Sequence, residues 1–361
     1  MRTRGGIIFF GLMILVLSGC ASIGPGSVSR DRFDYVTSIS ESWKHQILLN
    51  IVKTRYIEPL SFVDVGQIIA GYSLETGVNL LGKGTLSNFS SSSSIEAGAS
   101  GKYTDRPTIT YTPMTGNAFI RSLMTPLFPS QVLFAVQSGV PAEMIFKLGV
   151  SSINGLRNEN VTIKGYIPPE AKFVRVTEIM NSLQMAGAIN VKIINQKDTH
   201  DSVLLSFPSR AVDAEVSALV REFCDLLGLD PATDQYKIVL GNMPENNREI
   251  AMKTSSVMRI MAFLAARVEV PEKDMAEKRA LTGIREAVAN VGREGRFVIR
   301  SSNGDGEPKD AFAAVKYRNH WFWIDDRDIA SKQIISFLVL VFTLADTGSD
   351  KPLPLVTIPA Q

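Results

Sequence analysis

Residues 78–103, VNLLGKGTLSNFSSSSSIEAGASGKY, alternate small or apolar positions with polar ones, and no helical period runs through them. An alternation with a period of two is typical of a β-strand with one apolar face. The apolar or small positions of the two halves are Val78, Leu80, Gly82, Gly84 and Leu86, and Ile95, Ala97, Ala99, Gly101 and Tyr103. Because serines at 90–94 separate the halves, the sequence predicts a long β-hairpin with a polar tip.

Two interpretations of this hairpin stay open. In the first, the hairpin extends the sheet of a soluble body, and its glycine and serine content makes it flexible. In the second, several copies of the chain each donate residues 76–112 to a shared outer-membrane barrel, because each arm matches the roughly 9–11 residues of a transmembrane strand. A lone hairpin would leave unpaired backbone edges in lipid, so the second interpretation requires a closed ring of copies.

The rest of the chain predicts an α+β fold. Apolar residues at helical spacing between Trp43 and Val52 predict a helix over residues 41–55. The central part predicts a split unit in the order β-α-β-β-α-β, with strands at 161–166, 189–195, 202–207 and 236–240 and helices at 171–186 and 211–227. This order resembles the ferredoxin-like arrangement, and its α-β-β-α core also occurs in ring-building domains of envelope secretion machines. Proteins of many functions share it.

The last third predicts helices with a small antiparallel meander. The expected elements are a strand at 248–253, helices at 256–267 and 273–290, meander strands at 296–301, 311–317 and 321–324, and a helix at 331–345. The last helix is almost wholly apolar, but it is shorter than the roughly 20 residues that a membrane span needs. The expected segments are a signal peptide at 1–19, a lipidated tether at 20–30, a helix and hairpin body at 31–160, an α/β sandwich unit at 161–245 and a C-terminal α+β unit at 246–361.

The N-terminus has the pattern of a secretory signal. Arg2 and Arg4 precede an apolar run at 5–17, which is too short to cross a hydrocarbon core and indicates a removable segment. The following Leu-Ser-Gly-Cys, ending at Cys20, resembles the bacterial lipobox, in which the cysteine is acylated before cleavage. Acyl chains at Cys20 would hold the protein at a bilayer without a spanning helix. Ala21 replaces the Asp that usually marks inner-membrane retention, so the resemblance implies an outer-membrane lipid anchor.

The composition is that of an ordinary globular chain. Of its 361 residues, 45% are hydrophobic and 20% are charged, and 38 Lys and Arg balance 36 Asp and Glu. This near-neutral balance provides no electrostatic footprint for nucleic acid, so no nucleic-acid partner is expected. If Cys20 is lipidated, Cys224 has no disulfide partner within the chain. The helical apolar surroundings of Cys224 predict that it packs as a small hydrophobe.

The densest polar constellation lies at residues 317–328. The candidate functional cluster within it comprises His320, Trp321, Trp323, Asp325 and Asp326. Carboxylates beside an imidazole are suited to acid/base chemistry or to binding a divalent ion. A competing interpretation is structural, because Asp residues between a strand and a helix cap exposed backbone amides. The three histidines of the chain are scattered singly and no nucleotide-binding or nucleophile motif follows a strand, so neither a metal site nor a cofactor is expected.

Segments at the beginning, middle and end of the chain carry a resemblance to a known family. They are RDRFDY at 30–35, SESW at 40–43, LNIVK at 49–53, TDRPTITY at 104–111 and HWFWIDDRD at 320–328. In these segments the chain resembles a family of uncharacterised proteobacterial outer-membrane lipoproteins. The resemblance implies a place in the cell envelope, and it brings no activity, cofactor or catalytic residue with it.

Three functions are compatible with these features. The first is a non-enzymatic structural or interaction module, anchored to membrane lipid through acylated Cys20 and binding further copies of itself or other envelope proteins. The second is an oligomeric export or secretion channel component that donates the hairpin to a shared barrel. The third is a hydrolase that uses Asp325, Asp326 or His320. The lipobox and the lack of a catalytic motif favour the first, so the chain is not expected to be an enzyme.

Overall fold

The computed structural model describes residues 23–69, 71–85, 92–162, 165–196, 199–207, 214–281, 297–302 and 306–345. These residues combine helices with mixed and antiparallel sheets, so the α+β prediction is confirmed. The chain forms two compact units. Of the described residues, those within 23–41 and 63–113 belong to the smaller unit, and those within 42–62 and 114–345 belong to the larger unit. The predicted signal peptide and Cys20 lie outside the described residues.

The first described element is a long helix, α1, at Ile23–Arg55. It begins well before the helix predicted from residue 41, and residues 23–30 of the predicted tether lie within it. The Gly-Pro-Gly at 24–26 has the composition of a tether, but proline is tolerated in a first helical turn, where its missing N–H would have no intrahelical acceptor. In the larger unit the helix buries its predicted apolar face, Ile47, Leu48, Ile51 and Val52.

The smaller unit contains two pairs of strands. The strands are β1 (Phe62–Ile69), β2 (Tyr72–Thr85), β3 (Ser92–Asp105) and β4 (Thr108–Met114). β2 pairs with β3 in an antiparallel ladder and β1 pairs with β4, so the predicted long hairpin is confirmed. The Arg106 N–H donates to the Gly71 carbonyl at 2.9 Å where the two pairs meet. A Cβ at position 71 would lie 3.1 Å from the Arg106 carbonyl oxygen, which explains the glycine.

The larger unit is built around one six-stranded sheet. Its strands are β5 (Val150–Ile153), β6 (Leu156–Arg157), β9 (Asn190–Gln196), β10 (Thr199–Ser206), β11 (Gln235–Leu240) and β12 (Glu249–Thr254). Their spatial order is β6-β5-β12-β11-β10-β9, and neighbours are antiparallel except for β11 and β12. The helices of this part are α2 (Gly116–Met124), α3 (Pro129–Gln137), α4 (Ala142–Gly149), α5 (Ala171–Met185) and α6 (Ala214–Leu227). α3 packs on β9, β10 and β11.

The strands of this sheet differ from those of the predicted split β-α-β-β-α-β unit. Its first predicted strand, 161–166, corresponds to two short strands, β7 (Asn160–Thr162) and β8 (Gly165–Ile167), which pair only with each other. The sheet instead includes β5, β6 and β12, which lie outside residues 161–245. The boundaries predicted at 160 and 245 therefore both fall between strands of one sheet. The reason is that β12 is buried along almost its whole length, as a central strand with a parallel neighbour must be. The sequence of a short apolar strand does not show which other strand it pairs with.

The C-terminal part contains α7 (Val257–Ala265), α8 (Glu272–Ala276), β13 (Arg300–Ser302), β14 (Ala311–Tyr317), β15 (His320–Asp325) and α9 (Ile329–Ala345). These strands form the predicted small antiparallel sheet, but their order is β13-β15-β14, so β15 is the central strand and not β14 as in a meander. Arg318 and Asn319 have φ of 48° and 67° and make a tight turn that pairs β14 with β15, which leaves the other edge of β15 for β13. Residues 282–290 of the helix predicted at 273–290 lie outside the described residues.

The core of the larger unit joins segments that lie far apart in the sequence. Phe62 lies 6.1 Å from Trp43 of α1 and 4.9 Å from Phe342 of α9 between ring centroids. Cys224 is buried 3.1 Å from the Tyr236 hydroxyl, so its predicted packing as a small core residue is confirmed. Among the described residues, no helix has both the length and the apolar character to cross a membrane.

Candidate functional site

The candidate cluster predicted from the sequence lies on and after β15. Phe322 and Ile324 are fully buried, whereas Trp321 and Trp323 are half-buried at the alternate positions of the strand. His320 begins the strand, and its Nδ1 atom lies 3.3 Å from the Ser302 carbonyl oxygen of β13. The strand therefore places the two tryptophans on the face opposite the core.

The carboxylates that follow β15 each have a structural partner. Asp325 accepts a hydrogen bond from the Arg327 N–H at 3.0 Å. The exposed Asp326 is 2.7 Å from the Lys332 ammonium group, and this hydrogen bond lowers the pKa of the Asp326 carboxyl. Asp328 accepts from the backbone N–H of Ser331 at 3.0 Å and from its hydroxyl at 2.6 Å. These contacts shape the turn into α9, as the capping interpretation predicts.

The described part of the chain does not bring the candidate side chains together into a metal-binding or catalytic arrangement. Among the described residues, no three His, Cys, Asp or Glu side chains lie in a group suited to a metal ion. His45 is exposed on α1. The catalytic interpretation of His320, Asp325 and Asp326 therefore has no support from their surroundings, because each group already contacts a neighbouring backbone or cation.

A second candidate is the ribbon formed by β2 and β3, which we call the hairpin ribbon. Its ladder runs over 14 residue pairs, from Tyr72 opposite Asp105 to Thr85 opposite Ser92. At a rise of about 3.3 Å per residue the ribbon is about 46 Å long. Among the described strands, neither β2 nor β3 has a second neighbour. Each strand of the ribbon therefore has one outer edge beside which no further described strand lies.

The register of the ribbon brings the two predicted apolar rows together. Val78 lies opposite Ala99, Leu80 opposite Ala97 and Gly82 opposite Ile95. Positions directly opposite in an antiparallel pair share a face, so both rows occupy one face of the ribbon. The opposite face carries alternate positions such as the exposed, oppositely charged Glu75 and Lys102. The pairing is therefore amphipathic, and a shift by one residue would destroy this separation.

The next pair of strands also exposes apolar surface. β4 is exposed over nearly its whole length, including Ile109 and Tyr111, of which Tyr111 is 63% exposed. Val63 and Ile69 on β1 are also exposed. A two-stranded ribbon is only marginally stable alone in water. The strands of the smaller unit therefore combine exposed apolar side chains with long outer edges beside which no further described strand lies.

A third candidate is a small cavity in the larger unit, with a volume of about 50 Å³ and a lining of both polar and apolar residues. The end of α4, the start of β5, the segment leading into β7 and the first turns of α7 enclose it. Its polar lining residues are Lys147, Ser151, Asn158, Glu159, Asn160, Ser255 and Arg259. No sequence motif identifies it, because its residues come from segments more than 100 positions apart.

Glu159, the carboxylate among the described lining residues, forms an ion pair with a neighbouring arginine. Arg267 lies 2.9 Å from the Glu159 Oε2 atom, and both side chains are largely buried. The Tyr166 hydroxyl donates to the same oxygen at 2.8 Å. An ion pair withdrawn from water requires such additional hydrogen bonds to be stable. The Glu159 carboxylate therefore already binds Arg267 and Tyr166.

Arg259 lines the cavity with a guanidinium that forms one hydrogen bond to a neutral group. It lies in the first turn of α7, and its Nη2 atom donates to the Asn160 amide oxygen at 3.3 Å. Burial lowers the pKa of its guanidinium. Lys147, from the last turn of α4, adds a second positive charge to the lining.

Comparison of the whole chain with protein-family models, with curated proteins and with solved structures finds no match in any of the three.

Proposed function

We propose that the protein is a lipid-anchored bacterial outer-membrane lipoprotein that acts as a non-enzymatic interaction module and assembles with further copies of itself. The anchor rests on the lipobox ending at Cys20. The assembly rests on one observation, the hairpin ribbon of 14 residue pairs in which neither strand has a second neighbour among the described strands. A second copy of the ribbon offers the matching edge.

Pairing between copies gives β2 and β3 a second neighbouring strand at their outer edges. The free edge of β2 in one copy meets the free edge of β3 in the next, and backbone N–H and C=O groups pair across the junction. This contact joins two different edges, so it is head-to-tail and produces a closed ring when the rotation per copy divides a full turn. An acylated Cys20 confines the copies to one leaflet and thereby raises their effective concentration.

A second candidate function is an oligomeric export or secretion channel, in which the ring of hairpin ribbons passes through the outer membrane. The register favours it, because the apolar row of β2 and the apolar row of β3 occupy the same face of the ribbon. A ring of such ribbons presents one apolar face to lipid and one polar face to an aqueous lumen. Closure of the ring satisfies every backbone group, which lipid requires.

The mass of the lipidated full-length protein in mild detergent, measured by size exclusion with light scattering, tests the assembly. We expect a defined multiple of the chain mass. The matched variant replaces residues 76–101 with Asn-Gly, which closes the shortened hairpin at Glu75 and Lys102 through a two-residue turn. We expect this variant to have the mass of one chain.

The tryptophans provide the folding control for the shortened variant. All three of them, Trp43, Trp321 and Trp323, belong to the larger unit. Their near-ultraviolet circular dichroism must be unchanged in the variant. A wild-type protein of single-chain mass, or a shortened variant that keeps the wild-type mass, contradicts the assembly. The channel candidate further requires solute flux through vesicles that contain the wild-type protein but not the variant, and equal flux contradicts it.

A further inference from the structure

The cavity beside α7 combines features that favour a bound anion. The first is the position of Arg259 in the opening turn of a helix, where backbone N–H groups and the helix dipole already provide positive potential. A cation at that end is unfavourable unless a negative group balances it. Among the described residues, Arg259 forms no salt bridge, and the neutral Asn160 amide at 3.3 Å is its hydrogen-bond acceptor.

The charge around the cavity is also unbalanced. Among the described residues that line it, Lys147 and Arg259 are positive and Glu159 is acidic, and the Glu159 carboxylate already binds Arg267 and Tyr166. The lining therefore carries two positive charges that its own carboxylate does not compensate. A cation in a partly desolvated site is stabilised by a nearby opposite charge.

The remaining lining groups can bind oxygen atoms. The hydroxyls of Ser151 and Ser255 hydrogen-bond to each other at 3.0 Å, so one of them donates within the pair and the other can donate to a bound oxygen atom. Asn158 does not participate, because its side-chain amide donates to the carbonyls of Lys147 and Val150 at the end of α4. The cavity volume of about 50 Å³ exceeds the roughly 10–15 Å³ that one water molecule needs. There is room for one small oxyanion and not for a large cofactor.

We propose that this cavity binds a small oxyanion, a phosphate or carboxylate group, between Arg259 and Lys147, with one hydroxyl donor from the Ser151–Ser255 pair. Arg259 supplies a planar pair of N–H donors, which suits both groups. Lys147 supplies a point charge from α4. The site lies wholly within the larger unit and does not depend on the assembly of copies, so either proposal can fail without the other.

Titration of the full-length protein with inorganic phosphate, acetate or chloride at matched ionic strength tests the site by calorimetry and by Tm. We expect phosphate or acetate to bind and to raise the Tm above that in chloride. Whichever of the two binds more tightly identifies the oxyanion class. Arg259→Gln should raise the Kd of that anion at least tenfold, since the variant removes the charge and the paired donors. Arg248→Gln is the control, because Arg248 is 69% exposed outside the cavity.

Lys147→Gln provides a second test if Arg259→Gln does not fold. Lys147 is only half-buried at the end of α4, so its replacement should leave the fold intact and raise the Kd several-fold. Equal Tm in all three salts for the wild-type protein would overturn the site. So would an anion effect that persists in Lys147→Gln and in a folded Arg259→Gln, because the effect would then come from elsewhere on the surface.

Discussion

The Tyr56 hydroxyl donates a hydrogen bond to the Asp274 carboxylate at 2.6 Å, across 218 positions of the chain. Both residues are buried, at 5% exposure each. Tyr56 follows α1, and Asp274 lies in the short helix α8. Tyr317 packs edge-on against the Tyr56 ring at 5.3 Å, and the Arg318 guanidinium lies 4.8 Å from the same ring. One side chain thus connects the N-terminal helix to two C-terminal elements.

Tyr56→Phe should destabilise the larger unit by about 1.5–3 kcal/mol. The variant removes a hydrogen bond to a charged acceptor and leaves the Asp274 carboxylate buried without that donor. Urea unfolding followed by tryptophan fluorescence measures the change. Tyr111→Phe is the matched control, because Tyr111 is 63% exposed on β4. A loss for Tyr56→Phe no larger than for the control would show that the hydrogen bond adds nothing to stability.

Stability should fall in strong alkali, in part because of Tyr56. Burial, followed by the hydrogen bond to Asp274, raises the pKa of the Tyr56 phenol well above its usual value of 10.0. Above pH 10 the unfolded state releases this proton while the folded state keeps it, so the free energy of unfolding decreases as pH rises. Below pH 10 the proton is bound in both states and the contribution is constant.

Urea titrations at several pH values above 10 measure this slope in the wild-type protein and in Tyr56→Phe. The pKa values of Tyr236 and Tyr317 are also raised by burial, so the variant should retain part of the slope. We expect a shallower slope for Tyr56→Phe than for the wild-type protein. Superimposable slopes would mean that Tyr56 ionises alike in both states.

Gly71→Val should disrupt the junction between the two strand pairs and reduce assembly. The new side chain would begin 3.1 Å from the Arg106 carbonyl oxygen, next to the hydrogen bond from Arg106 N to Gly71 O. Light scattering of the detergent-extracted protein should report a smaller mass or a mixture of masses. Gly241→Val is the control, because no atom lies within 4 Å of a Cβ at that position. An unchanged mass in Gly71→Val would show that this junction does not influence assembly.

Cys20→Ser should abolish incorporation of labelled palmitate and release the protein from membranes. The prediction follows from the lipobox, since the cysteine thiol is the only group there that can form the thioether to diacylglycerol. Cys224→Ser is the matched control, because the chain has two cysteines and Cys224 is buried in the core. Label that remains in Cys20→Ser, or that disappears in Cys224→Ser, would contradict lipidation at Cys20.

Local patterns in the sequence were sufficient for many individual elements. The alternation at 78–103 predicted the β2–β3 hairpin, and helical spacing predicted the helix that buries Ile47 and Ile51, although it missed the earlier start of that helix. Ser256 caps α7 by accepting a hydrogen bond from the Arg259 N–H, and Asp328 caps α9. These features depend on residues within a few positions of each other, so their periodicity or spacing is visible along the chain.

Partners distant in the sequence were decided by the tertiary structure alone. β12 lies between β5 and β11, and β15 lies between β13 and β14, although neither order can be read from alternation. Arg259 and Lys147 meet at a cavity across 112 positions, and Tyr56 meets Asp274 across 218. Periodicity specifies which face of an element is apolar, but not which other apolar face will cover it. That choice is made by the packing of all elements together, because only the complete core buries each face and satisfies each backbone edge.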